Sequence, residues 1–116
     1  MPEEVTYEAD AKLMRVRAWG VDPIENWNAS KEKVRQLSET HRVFRLLVDV
    51  RELEVAPSIL DIFDFGQNWL DNIKTAILVG EQTHEDVRFV ETVAVNRSKQ
   101  MQIFHDEDEA LLWLGE

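Results

Sequence analysis

Hydrophobic and polar positions change period repeatedly along the chain, and each change marks an element. Near the start, Val5-Thr6-Tyr7 is β-prone and Asp10-Ala11-Lys12 is turn-like. Then Met14, Val16 and Ala18 alternate with Arg15 and Arg17 until Gly20. That two-residue period predicts a hairpin whose second strand, Leu13 to Trp19, has one wetter face. The period then lengthens. Ile24, Trp27, Val34 and Leu37 recur at helical spacing, interrupted by Lys31, with Asp22 as the expected cap and Glu25 three residues after it. Phe44 to Val50 reads as a central strand, because Leu46-Leu47-Val48 is apolar on both faces. Pro57 and Ser58 open a second helix with the stripe Ile59, Ile62, Phe63, Gly66, Trp69 and Leu70, and Gly66 is expected to let it pack closely on the sheet. Thr75 to Val79 predicts a buried strand closed by Gly80, and a third helix is expected from about His84 to Ser98. Met101 to Phe104 predicts a last strand. Asp106, with Glu109 at capping-box spacing, caps a terminal helix whose apolar face is Ala110, Trp113 and Leu114. The order β-β-α-β-α-β-α-β-α predicts an α/β fold: a mixed sheet of four or five strands, its later strands parallel, with about four helices.

Composition narrows the function classes. The 116 residues suit one domain spanning 1–116. Thirteen Lys and Arg against twenty-three Asp and Glu give a net charge of −10, which argues against nucleic acid as a partner. Cysteine is absent, which excludes thiol nucleophiles, disulfides and Cys-ligated metals. No apolar run approaches the roughly 20 residues of a membrane span, and the acidic start Met1-Pro2-Glu3-Glu4 lacks the pattern of a secretory signal. A cytoplasmic protein is the expectation.

Catalytic motifs are missing. The four glycines stand singly, so no phosphate loop forms, and there is neither a Gly-x-Ser-x-Gly elbow nor a His-Glu-x-x-His pair. His41, His84 and His105 are dispersed and read as loop or helix-end residues. The run His105-Asp106-Glu107-Asp108-Glu109 is explained by capping and the helix dipole without a metal. No cofactor is implied. Asp61 and Asp64 are three apart on the second helix, where paired carboxylates could do acid–base work, but they alternate with Ile62, Phe63 and Phe65, and a solvated polar face is the better explanation. An enzyme would need these two and His41 to converge. Ser58, at the edge of the same helix, suits an N-cap and is also placed where helix N–H groups stabilise a phosphate. Four tryptophans are many for this length. Phe63 and Trp69 fall near the core stripe, whereas Phe65 is expected to point away from it. An apolar pocket, a membrane-contacting patch or a dimer seam would cover the excess.

The segments Phe44-Arg45-Leu46-Leu47-Val48-Asp49-Val50, Phe63-Asp64-Phe65-Gly66 and Thr75-Ala76-Ile77-Leu78-Val79 resemble the SpoIIAA-like family. So does the tail, where Arg88-Phe89-Val90-Glu91 and Asn96-Arg97 lead to Ile103-Phe104-His105-Asp106 and Glu109-Ala110-Leu111-Leu112-Trp113-Leu114. The resemblance runs from about Val5 to Leu114 and implies a bacterial protein with a STAS-type fold, related in shape to the CRAL-TRIO lipid-binding fold. STAS switch proteins carry an Asp-Ser-Ser-Gly motif with a phosphorylated Ser after the central strand. The corresponding stretch here, Val55-Ala56-Pro57-Ser58-Ile59-Leu60, keeps only the Ser58 hydroxyl.

The leading expectation is a non-enzymatic module that binds a small apolar ligand or a membrane surface through Ile59, Ile62, Phe63, Phe65 and Trp69. The alternative is a protein-interaction switch of the anti-sigma-antagonist type, controlled by phosphorylation at Ser58. A homodimer is expected under either.

Overall fold

The computed structural model describes residues 3–55, 58–80 and 85–115; the side chains of Ile59 and of residues 85–87 lie outside that description. Strand β1 (Glu3–Glu8) pairs antiparallel with β2 (Leu13–Val21) across a tight turn in which Lys12 N–H donates to Ala9 C=O at 3.2 Å. From β2 onward every connection carries a helix: α1 (Ile24–His41) leads to β3 (Arg45–Val55), α2 (Ile59–Gln67) to β4 (Lys74–Leu78) and α3 (Glu85–Asn96) to β5 (Met101–Phe104). These strands are parallel, and the sheet order is β1-β2-β3-β4-β5. Each crossover therefore steps one strand in the same direction. Crossovers of one hand then stack their helices on one face of the sheet.

Side-chain alternation divides the core accordingly. Met14, Val16 and Ala18 of β2, Leu46 and Val50 of β3, and Ile77 of β4 face α1, α2 and α3. Leu47, Ala76 and Leu78 face the other way, against Ala110 and Leu114 of the last helix, α4 (Glu107–Leu114). Both faces are thus covered along Leu46–Leu47 of β3 and Thr75–Leu78 of β4, which is why those stretches read as apolar runs. Asp106 caps α4 as expected, accepting from the N–H groups of Asp108 at 2.7 Å and Glu109 at 3.4 Å.

Three local expectations are corrected. Pro23, not Asp22, stands at the N-cap of α1, and no side chain caps that helix; the Asp22 carboxylate turns inward instead. Phe44 stays exposed before β3, covered by the Arg42 guanidinium 5.5 Å from its ring centre, and the strand runs on to Val55. Gly66 serves helix–helix rather than helix–sheet packing: a Cβ there would lie 3.1 Å from Val90 O and 3.1 Å from Val93 Cβ on α3. Substituting Gly66→Val should force the two helices apart and cost about 1–3 kcal/mol. Thermal denaturation showing an unchanged melting temperature would refute that close approach.

Candidate functional site

Between the sheet and helices α1 and α2 lies an internal cavity of about 70 Å³. Its walls are apolar and aromatic, with Val34, Val48, Ile77 and Val90 joined by Trp27, Phe65 and Trp69. The rings form a connected set. Trp27 meets Phe65 edge to face at 5.2 Å between centroids, and Phe65 lies 5.3 Å from Trp69. Trp69 is held by its indole N–H, which donates to Thr75 Oγ1 at 3.0 Å, while the Thr75 hydroxyl donates to Ile73 O at 3.2 Å.

Two carboxyl groups break this apolar wall. Glu3 enters from β1 and Asp22 from the end of β2, where a register irregularity at Gly20 (φ 65°) bends the strand. Asp22 is only 1% exposed. One of its oxygens accepts from the Asn26 amide at 3.0 Å, and one Glu3 oxygen accepts from the Ser30 hydroxyl. The other two, Glu3 Oε2 and Asp22 Oδ2, are buried and receive no donor from the protein. The carboxyls lie within hydrogen-bonding reach of each other. Burial first, then that hydrogen bond and the like charge of Asp22, push the Glu3 carboxyl up to about 8, against the opposing pull of the Ser30 hydroxyl. At the rim Lys31 lies 5.6 Å above the Phe65 ring and 3.5 Å from Asn68 O.

The structure divides the candidate residues. Phe65 and Trp69 line the cavity; Phe65 turns toward Trp69, contrary to the expectation that it points away. Phe63 does the reverse. It is 39% exposed and stacks on Phe89 at 6.3 Å, because α2 presents its opposite side to the core. Ile62 is fully buried in the core but does not border the cavity. The Ile59 side chain, Ala56, Pro57 and His84 lie outside the described residues. Ser58 is exposed and caps α2, its Oγ accepting from Asp61 N–H at 3.3 Å.

His41 ends α1 beside the start of β3 and stacks on Tyr7 at 4.4 Å, while Asp61 lies in the first turn of α2, beyond the far end of β3. The topology therefore sets His41 and Asp61 at opposite ends of the parallel strands. His105 meets Arg88 at 3.4 Å. Among the described residues no group of three or more metal-binding side chains gathers, and no helix is long and apolar enough to cross a membrane.

Glu3 and Asp22 were not among the sequence candidates. One signal pointed to Glu3: Val5 and Tyr7 alternate inward along β1, and the same period carried back two residues turns Glu3 inward.

No family model matches the sequence, and no curated protein matches it. Among solved structures, the chain is similar to an uncharacterised protein from Shewanella loihica PV-4, of the DUF3478 family and with a SpoIIAA-like fold. The match covers 97% of this chain and 91% of that one at a TM-score of 0.60, with 17% sequence identity. The fold expected from the sequence is therefore shown.

Proposed function

We propose that this protein is a non-enzymatic binding module that holds a small molecule in the cavity between α1, α2 and the sheet. The observation that carries this reading is a cavity walled by Trp27, Phe65 and Trp69 and interrupted by two buried carboxyl oxygens that receive no donor. Sites of that make-up take a ligand with an apolar body and a polar end. Size limits the ligand. A void of about 150 Å³ accommodates benzene, so about 70 Å³ takes a group of only a few heavy atoms unless α1 and α2 separate.

A membrane-surface role would use Leu60, 75% exposed, and Phe63 on the outer side of α2. Asp61 and Asp64 on the same helix and a net charge of −10 oppose binding to anionic lipid. The cavity is the better-supported site. Phosphorylation at Ser58 remains the alternative proposal, and its exposure leaves it accessible to modification. Ser58→Ala should cost about 1 kcal/mol through loss of the cap alone. Intact mass of protein from its native cells, showing a phosphate that Ser58→Ala removes, would favour the switch.

The cavity reading is tested by native mass spectrometry and by titrating a small neutral probe, 1-butanol, against the fluorescence of Trp27 and Trp69. Ala18→Leu places three more carbons into the cavity wall. Wild-type protein should bind the probe, and Ala18→Leu should weaken binding at least about tenfold. Binding unaffected by Ala18→Leu would place the probe elsewhere and sink the reading.

A further inference from the structure

We infer that the cavity is selective for a small organic cation, an alkylammonium whose charged end meets the Glu3–Asp22 pair and whose short apolar body rests against the aromatic rings. The inference rests on the cavity reading above and adds the chemistry of its occupant.

Three observations carry it. The first is the orphaned oxygens: Asp22, almost wholly buried, keeps Oδ2 without a donor, and Glu3 Oε2 beside it is in the same state. A buried acceptor without a donor costs about 1–3 kcal/mol, and an ammonium brings up to three N–H donors to two acceptors. The second is the wall. Trp27, Phe65 and Trp69 surround the space with ring faces and edges, and ring faces attract cations. The third is the absence of competing ligand chemistry around the cavity. From β2, β3, β4, β5, α2 and α3 it receives only uncharged side chains; the charged groups lining it are Glu3, Asp22 and, at the rim, Lys31. A hydrated metal ion would keep its polar water shell against an almost wholly apolar wall, which an alkyl group suits better. An anion would meet two carboxyls against the single cation of Lys31, which is also engaged over the Phe65 ring.

The pair also fixes the proton balance. Before binding, burial and the neighbouring Asp22 favour the protonated form of Glu3. An incoming ammonium favours the Glu3 carboxylate, so the Glu3 proton leaves to solvent as the cation enters. Affinity for the cation should therefore rise with pH and level off above about 8.

The experiment compares butylammonium, 1-butanol and butyrate by calorimetry on the wild type, Glu3→Gln and Asp22→Asn, with circular dichroism to confirm folding. Butylammonium should bind at least about tenfold more tightly than 1-butanol at about pH 8, and butyrate should not bind. Glu3→Gln should remove both that preference and its rise between about pH 6 and about pH 9. Equal binding of 1-butanol and butylammonium, unchanged in Glu3→Gln, overturns the cation preference and leaves the cavity reading standing. The carboxyls would then serve only to tie β1 to α1. Failure of every probe to bind the wild type overturns both. Glu3 lies on the edge strand and is only half-buried, so Glu3→Gln keeps the test open should Asp22→Asn fail to fold.

Discussion

Replacing Trp69 by Ala should destabilise the protein by about 3–5 kcal/mol, a large share of the 5–15 kcal/mol that holds a domain of this size together. Trp69 is 5% exposed and packs on Phe65. Its loss would enlarge a site that already contains an unfilled space, so the surroundings could not collapse onto the gap. It would also remove the indole donor from Thr75 Oγ1, although that hydroxyl keeps its own acceptor at Ile73 O. Trp69→Phe retains most of the ring and should cost markedly less. Urea denaturation of the two variants separates the contributions. Equal losses would mean that the hydrogen bond, not the packed volume, dominates. The same enlargement gives a functional readout: where Trp69→Ala still folds, it should admit probes larger than 1-butanol.

The second large effect is a dependence of stability on pH that a single residue should control. The Glu3 carboxyl is raised from 4.5 in the unfolded chain to about 8 in the fold. Between those values the folded state binds more protons than the unfolded state, so stability falls as pH rises. The contribution is fully present below about 4.5, is lost as pH climbs through about 8, and is flat above that. Glu3→Gln supplies an amide N–H where the wild type needs a proton, so it should remove this loss. At about pH 9 the variant should be more stable than the wild type by about 1–2 kcal/mol, a figure that allows for screening of a half-buried carboxyl by water. Near pH 4 the two should agree. Denaturant midpoints across this range decide it, and the difference between the proteins cancels the carboxylates they share. A wild type whose stability matches that of Glu3→Gln at about pH 9 would show that Glu3 ionises without cost.

These two residues also mark how far the sequence was legible. Trp69 was visible, because Ile62, Gly66 and Trp69 share a helical stripe and a tryptophan on such a stripe is buried. Its neighbour Phe65 was placed wrongly. A projection of α2 alone points Phe65 away from Ile62 and Trp69, yet the space under α1 receives it, and Trp27 of α1 supplies the ring it meets. Phe63 was misplaced for the complementary reason: α3 offers Phe89 as a partner outside the core. Glu3 was read as one more charge in an acidic start, and Asp22 before Pro23 as a helix cap.

The surface charges repeat the point. Arg15 and Arg51 both reach Glu107 on α4, at 3.6 and 3.5 Å, across long stretches of sequence. Such exposed pairs contribute little to stability, typically about 0–1 kcal/mol, but they orient α4 on the sheet.

By itself the sequence determined the order of elements, the parallel run of the later strands, the caps at Ser58 and Asp106 and the two-sided burial of β3 and β4. Those features follow from periodicity and local hydrogen bonding, which act within a few residues of the chain. The tertiary structure alone decided that a cavity exists, which rings line it and that two carboxyls from β1 and the end of β2 meet there. Glu3 and Asp22 are nineteen positions apart (22 − 3 = 19) and meet because the β1–β2 hairpin brings Glu3 opposite Ala18, near the point where the chain bends toward α1. A desolvated pair arises from what the folded chain packs around it, and no local pattern in the sequence encodes that surrounding.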